Sequence, residues 1–206
     1  MAIQAVLTAD IVNSTRLGPA TEKKLMYCLR QLLATQQVEF YRGDSFQVYM
    51  KDAISALQTA LLCRTAAIGI AGSAAVASDI RISIGIGKVK KPVTALGTAK
   101  GEAFVLSGRA FDELTIAGTR LVIAGSNRLA NEGFQVIAGY LNAIFKDMTG
   151  KQAGVIFELL KGQTQQAVAA KLKKSKSTIH QHVNAGRWPE IEKLLQHYTN
   201  IINLLL

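Results

Sequence analysis

Cysteine, histidine and acidic residues are scarce in this chain of 206 residues, and each shortage excludes a class of protein. The two cysteines, Cys28 and Cys63, lie far apart in helix-like stretches and lack the spacing of metal ligands. A disulfide-rich secreted domain and a cysteine-based zinc site are therefore excluded. With 49% apolar residues, the chain is also too hydrophobic for wholesale disorder. We expect a reduced, cytoplasmic protein with a packed core.

Long uninterrupted hydrophobic runs are absent as well. The most apolar helical stretch, residues 53–77, is interrupted by Arg64 and is rich in alanine and glycine. A membrane-spanning helix is therefore not expected. The first ten residues show no basic leader and no cleavage-site pattern, so we expect no signal peptide.

The 14 acidic residues are outnumbered by 24 lysines and arginines, which leaves a net charge of +10. From Lys146 onward nine basic residues stand against four acidic ones, so this tail alone carries +5. All three histidines also lie in the tail, and no histidine is available as a base before it. The charge excess favours an anionic partner for the tail.

Hydrophobic periodicity predicts the fold class. A period-two pattern predicts a strand at residues 80–89, and apolar or β-rich runs predict strands at 3–12, 38–41, 46–50 and 119–125. Helix-like stretches predict helices at 20–36, 52–70 and 101–114. The order strand, helix, hairpin, helix, strand, helix, strand predicts a ferredoxin-like α+β sandwich, followed by a small all-α domain. The expected domains are residues 1–145, 146–188 and a C-terminal amphipathic helix at 189–206.

Two isolated carboxylates mark a candidate site in the first domain. Asp10 ends the first predicted strand, and Asp44 lies in the turn composition Arg42-Gly43-Asp44 of the predicted hairpin. In a ferredoxin-like sheet these two points lie side by side, and two adjacent carboxylates both stay ionised only beside a cation. Taken one at a time, Asp10 could instead cap a turn and Asp44 could be an ordinary turn residue.

Four segments extend this interpretation to a family. The stretches ADIVNST, RGDSFQVY, IRISIGIGKV and GEAFVLSGRAFDEL resemble, in order and spacing, the signature segments of class III nucleotidyl cyclase domains over roughly residues 2–125. The resemblance implies a dimerising fold that holds two Mg²⁺ or Mn²⁺ ions under a nucleoside triphosphate. It places Asp10, Asp44 and the Ile11 carbonyl as metal ligands, with Phe40, Thr98 and Arg109 at nucleotide-binding positions.

The departures from that family bear on catalysis. Phe40 stands where many of these cyclases have a base-reading lysine, and Val105 stands at the position of a transition-state asparagine. No counterpart of the later phosphate-binding lysine is found. Arg109 matches the family, although we favour an exposed helix arginine over a catalytic one. The sequence therefore predicts a retained pocket with damaged chemistry.

The basic tail resembles a second family, the LuxR-type and sigma-region-4 helix-turn-helix domains. Its outline is met by Thr149, Gly162, Thr164, Ser175, Thr178, Ile179 and His182. The resemblance implies DNA contacts by Lys173, Lys174, Lys176, Ser177, His180, Gln181 and Asn184, with lysines on phosphates and Gln181 and Asn184 on base edges. The alternative is a solvated basic helix pair that binds nothing. The two-part layout also resembles, more loosely, bacterial SatD-like proteins.

The C-terminal helix carries an apolar stripe at spacings of three and four. Its members are Ile191, Leu194, Leu195, Tyr198, Ile201, Ile202 and Leu205. Such a stripe pairs with a second chain or folds back on its own domain, and we expect the first, hence a homodimer.

The sequence thus predicts a cytoplasmic bacterial DNA-binding transcriptional regulator with double-stranded DNA as partner. Its degenerate cyclase-like domain would sense a nucleotide or serve dimerisation, so the prediction leans away from an enzyme. The alternative is an active nucleotidyl cyclase or a related metal-dependent enzyme that processes nucleotides.

Overall fold

The computed structural model describes residues 3–41, 43–71 and 78–206. The strands are β1 (Gln4–Ile11), β2 (Gln37–Tyr41), β3 (Ser45–Met50), β4 (Ile80–Gly87) and β5 (Leu121–Gly125). The helices are α1 (Pro19–Leu32), α2 (Ala56–Ala71), α3 (Glu102–Ala117), α4 (Arg128–Lys146), α5 (Gly150–Leu160), α6 (Gln165–Leu172), α7 (Lys176–Ala185) and α8 (Trp188–Leu205). Short 3₁₀ turns lie at Ser14–Arg16 and Leu96–Thr98. No helix in these described ranges is long and apolar enough to cross a membrane.

The five strands form one mixed sheet in the order β2-β3-β1-β4-β5. The first four strands pair antiparallel, in the arrangement of the split βαβ units of ferredoxin-like sheets. The fifth strand adds to the edge, parallel to β4. The predicted order of strands and helices through β5 is confirmed. Arg42 of the predicted hairpin lies outside the described residues.

Side-chain alternation assigns a different layer to each face of the sheet. On β1, Ala5, Leu7 and Ala9 belong to the main core, which α1, α2 and α4 complete from one side. Val6, between them, points to the opposite face and joins a smaller cluster with Tyr49 and residues of α3. Because strand side chains alternate in this way, Asp10 lies on the same face as Val6, the face that α3 covers.

Helix α3 lies very close to β4 because Gly85 has no side chain. A Cβ at Gly85 would lie 2.2 Å from the Ala103 carbonyl oxygen and 2.5 Å from the Ser107 nitrogen. The buried Ser107 hydroxyl donates to Thr8 (2.8 Å), and the Ser83 hydroxyl donates to the Ser107 carbonyl (2.7 Å). These hydroxyl contacts fix the position of α3 over the centre of the sheet.

The four tail helices share their apolar core with the sheet. The buried residues of α5 and α7 belong to the same continuous cluster as those of β1 and β4. Helix α5 lies against α2, where a Cβ on Gly69 would meet the Gly154 nitrogen at 3.6 Å. The Gln58 side-chain amide also donates to the Leu160 carbonyl at 2.6 Å. The predicted domain boundaries stay predictions, but the tail packs directly on the first domain.

The apolar stripe of α8 corrects one expectation. Ile191, Leu194, Tyr198 and Ile202 are buried, and α8 contacts α2, α4 and α7 of its own chain. The prediction that this stripe pairs with a second chain is therefore wrong, because its apolar residues already find partners within the fold. A homodimer through another surface stays a prediction.

Candidate functional site

Asp10 and Asp44 meet at one end of the sheet, as predicted. Strand pairing sets Asp10 opposite Ser45, the residue after Asp44. The Ile11 amide donates to the Asp44 carbonyl at 3.0 Å, which ties the hairpin turn to the end of β1. The antiparallel ladder therefore brings two carboxylates from distant parts of the sequence to one location.

Asp10 forms a bidentate ion pair with Arg81, a residue outside the predicted site. Arg81 Nε donates to Asp10 Oδ1 at 2.9 Å, and its second nitrogen donates to Oδ2 at 2.8 Å. The two residues face each other across β1 and β4. The sequence carried a signal for this pair. Arg81 lies between two of the alternating isoleucines of β4, so its side chain is on the face opposite the main core.

The surroundings of Asp10 act on its pKa in opposite directions. Burial raises the pKa of Asp10 above the usual 3.8, while the hydrogen bonds and charge of Arg81 lower it. Asp44 raises the same pKa and Arg120 lowers it, each through its charge. Burial thus favours the protonated carboxyl group of Asp10, whereas the ion pair with Arg81 favours its ionised form. We take Asp10 as ionised, because a bidentate guanidinium stabilises the charged carboxylate strongly.

Asp44 accepts hydrogen bonds from two hydroxyl groups. The Ser14 hydroxyl donates to Asp44 Oδ2 at 2.7 Å, and Ser45 donates to Oδ1 at 3.4 Å. Ser14 begins the 3₁₀ turn that follows β1. The polar residues after the first strand therefore orient the second carboxylate.

These contacts bear on whether the site suits the metal ions that the cyclase resemblance implies. Two carboxylates and the carbonyl of Ile11 are oxygen donors of the kind that Mg²⁺ and Mn²⁺ prefer. Within the described residues, no group of three or more histidine, cysteine or acidic side chains is placed to hold a metal. The donor chemistry fits a divalent ion, but both oxygens of Asp10 already accept from Arg81.

The predicted nucleotide-binding residues lie on three separate elements, namely β2, the 3₁₀ turn at Leu96–Thr98 and α3. Phe40 packs against Phe46 with ring centroids 5.4 Å apart, and the Arg30 guanidinium lies over its ring. Thr98 is exposed at the end of a 3₁₀ turn, and Arg109 is exposed on α3. Val105, at the position where the family has an asparagine, is 49% exposed and offers no donor. Their roles stay predictions.

The residues predicted to contact DNA lie on α7 and in the turn that precedes it. All seven are exposed: Lys173, Lys174, Lys176, Ser177, His180, Gln181 and Asn184. The amide of Asn184 and the ring of His180 form a hydrogen bond of 3.1 Å on one face of α7. Ser175 caps α7 through the Thr178 amide, and Ile179 and Val183 face the core.

A cavity of about 620 Å³ opens at the same end of the sheet but does not include Asp10 or Asp44. Arg120 and Lys146 supply cationic groups to its wall, and Phe145 and Met148 supply apolar ones. The ion pair of the buried Arg64 with Asp79, at 2.7 Å, also lines it. The cavity therefore adjoins the carboxylate pair without being part of it.

Comparison with known proteins gives a similarity of fold. Two solved structures of bacterial light-regulated adenylyl cyclases resemble the chain. One has a TM-score of 0.43 and 12% identity and covers 59% of this chain and 75% of its own. The other has a TM-score of 0.39 and 13% identity and covers 60% of this chain and 42% of its own. No protein-family model and no curated protein sequence matches the chain.

These neighbours correct the main functional prediction. They are cyclases, so the expectation of a DNA-binding transcriptional regulator is wrong, and the alternative of a cyclase-like protein agrees better with them. The LuxR-type and SatD-like resemblances find no counterpart in the comparison. The fold is mixed α+β and similar to that of adenylyl cyclases.

Proposed function

We propose that this protein is a nucleotide-processing enzyme of the nucleotidyl cyclase-like type, with a nucleoside triphosphate as substrate. The observation that carries the proposal is the meeting of Asp10, Asp44 and Arg81 at one end of the sheet. Carboxylates for a divalent cation and a guanidinium for phosphate are the groups that phosphoryl chemistry requires. The four sequence segments that resemble class III cyclases support the same assignment.

Each group would have a distinct task at the triphosphate. Asp10, Asp44 and the Ile11 carbonyl would hold Mg²⁺ or Mn²⁺, which supplies charge neutralisation at the phosphates when bound. Arg81 and Arg120, whose charges both act on Asp10, would add positive charge beside them. Such charges stabilise the transition state once they lie against the phosphates, where negative charge develops.

The chemistry would be slow. Val105 offers no hydrogen-bond donor where the family resemblance expects an asparagine, and loss of one such donor costs about 10²-fold or more in rate. Phe40 is engaged with Phe46 and Arg30 and has no group for base recognition. We therefore expect this protein to bind its substrate but to convert it slowly.

The test is incubation of the full chain with each nucleoside triphosphate and Mg²⁺ or Mn²⁺, followed by chromatography of the products and calorimetry of binding. Asp44→Asn should lose both binding and product. Asp112→Asn is the matched control, because Asp112 is an exposed carboxylate on α3 and is not among the proposed metal ligands. A wild-type chain that neither binds nor converts any triphosphate would overturn the proposal.

A further inference from the structure

We infer that Arg81 is a built-in competitor of the divalent cation. On this view Arg81 neutralises Asp10 until a polyphosphate anion draws its guanidinium away, so the metal binds together with the nucleotide and only weakly alone. The inference rests on the proposed function and adds an order of binding to it.

The first support is the occupancy of Asp10. Both carboxylate oxygens accept hydrogen bonds from Arg81, at 2.9 and 2.8 Å. Bidentate pairs of this kind are the strongest that a carboxylate forms with a side chain, and this one is only 20 to 25% exposed. A cation that coordinates Asp10 must therefore displace or share an established partner.

The second support is the local charge. Asp10 and Asp44 contribute two negative charges, and Arg81 and Arg120, which both act on Asp10, contribute two positive ones. Among the described residues these formal charges cancel, which weakens the attraction for a lone divalent cation. A triphosphate brings several negative charges, which attract the metal and offer Arg81 new acceptors at the same time.

The third support is the greater exposure of Arg81 compared with Arg64 at the same end of the sheet. Arg64 is 1% exposed and is held by Asp79, by the Asn142 side chain and by the ring of Phe145. Arg81 is 25% exposed. A guanidinium in that position can change partners without opening the core.

The experiment is a titration with Mn²⁺, with and without a non-hydrolysable triphosphate. Electron paramagnetic resonance measures the concentration of the free ion at each step. Arg81→Gln should bind Mn²⁺ alone at least about tenfold more tightly than the wild type, a ratio that corresponds to about 1.4 kcal/mol. It should also lose the gain in Mn²⁺ affinity that the triphosphate gives the wild type. Arg81→Lys, which keeps the charge but not the bidentate geometry, should lie between them.

The controls separate this inference from the proposed function. Arg128→Gln removes an exposed arginine on α4 and should behave like the wild type. Equal affinity of the wild type and Arg81→Gln for Mn²⁺ alone would overturn the competition, while loss of triphosphate-dependent Mn²⁺ binding in Asp44→Asn would leave the proposed function standing. Absence of Mn²⁺ binding by every variant, even with triphosphate, would overturn both. Circular dichroism of each variant establishes that it is folded.

Discussion

The hydroxyl of Tyr198 donates a buried hydrogen bond of 2.8 Å to the carbonyl of Ala53, 145 residues earlier in the chain. Tyr198 lies at the centre of α8, and Ala53 precedes α2. The ring of Tyr198 also contacts Phe134 of α4, with centroids 5.7 Å apart. This single residue therefore joins the last helix to two helices that pack on the sheet.

Replacement of Tyr198 should destabilise the whole chain. We expect Tyr198→Phe to lower the free energy of unfolding by about 1 kcal/mol, because the Ala53 carbonyl loses its donor. Tyr198→Ala should cost about 3–5 kcal/mol through the added cavity. Urea unfolding measures both. Tyr27→Phe, at an exposed tyrosine, should change stability by less than about 0.5 kcal/mol. A Tyr198→Phe variant as stable as the wild type would show that this hydrogen bond does not contribute to stability.

The buried pair of Arg64 and Asp79 should be costly to break from one side. Arg64→Met leaves the Asp79 carboxylate, which is 16% exposed, without its guanidinium, and we expect a loss of about 3–5 kcal/mol. The double variant Arg64→Met with Asp79→Asn should cost less than the sum of the two single changes, by about 1 kcal/mol or more. Chemical denaturation of the four proteins gives the coupling directly, and additive losses would contradict it.

Two glycines on either side of the α3 contact should respond in opposite directions to alanine. A Cβ at Gly85 has no space beneath α3, so Gly85→Ala should cost about 1–3 kcal/mol or more. A Cβ at Gly108 meets nothing within 4 Å, and in a helix Gly108→Ala should add about 0.4–1 kcal/mol. Thermal unfolding compares the pair. Equal shifts in the same direction would show that α3 does not depend on close approach to β4.

Glu39 should couple the turn at Leu96–Thr98 to pH. Its carboxylate accepts from the Tyr41 hydroxyl at 2.6 Å and from the Leu96 and Gly97 amides at 2.6 and 3.3 Å. The Tyr41 hydrogen bond, followed by that of Leu96, lowers the pKa of Glu39 below the usual 4.5. The contribution to stability is therefore fully present above pH 4.5 and is lost as the pH falls through the lowered pKa.

An NMR titration of the Leu96 amide checks this sign. We expect its chemical shift to change with a midpoint below pH 4.5, and Glu39→Gln should abolish the change. Glu113→Gln, at an exposed position of α3, should leave the titration as it is. A midpoint at or above the usual value would show that the hydrogen bonds do not favour the ionised form.

Part of the secondary structure could be predicted from the sequence alone. The alternating isoleucines of β4 and the spacing of the leucines in α1 predicted strand and helix, because periodicity depends only on local geometry. Helix α4 was not among the predicted helices, although Phe134, Ile137 and Leu141 recur at helical spacing. The nearness of Asp10 and Asp44 followed from the strand order, which the sequence of elements already implied.

Partners across long separations were decided by the tertiary structure alone. Asp10 meets Arg81, 71 residues away, because of the register between β1 and β4, and side-chain alternation specifies a face of each strand but not which residues lie opposite. In the same way, the apolar stripe of α8 determined that one helix face is buried, but not against what. Packing against α2, α4 and α7 settled that question, because an amphipathic pattern records the need for an apolar neighbour and carries no information about which chain supplies it.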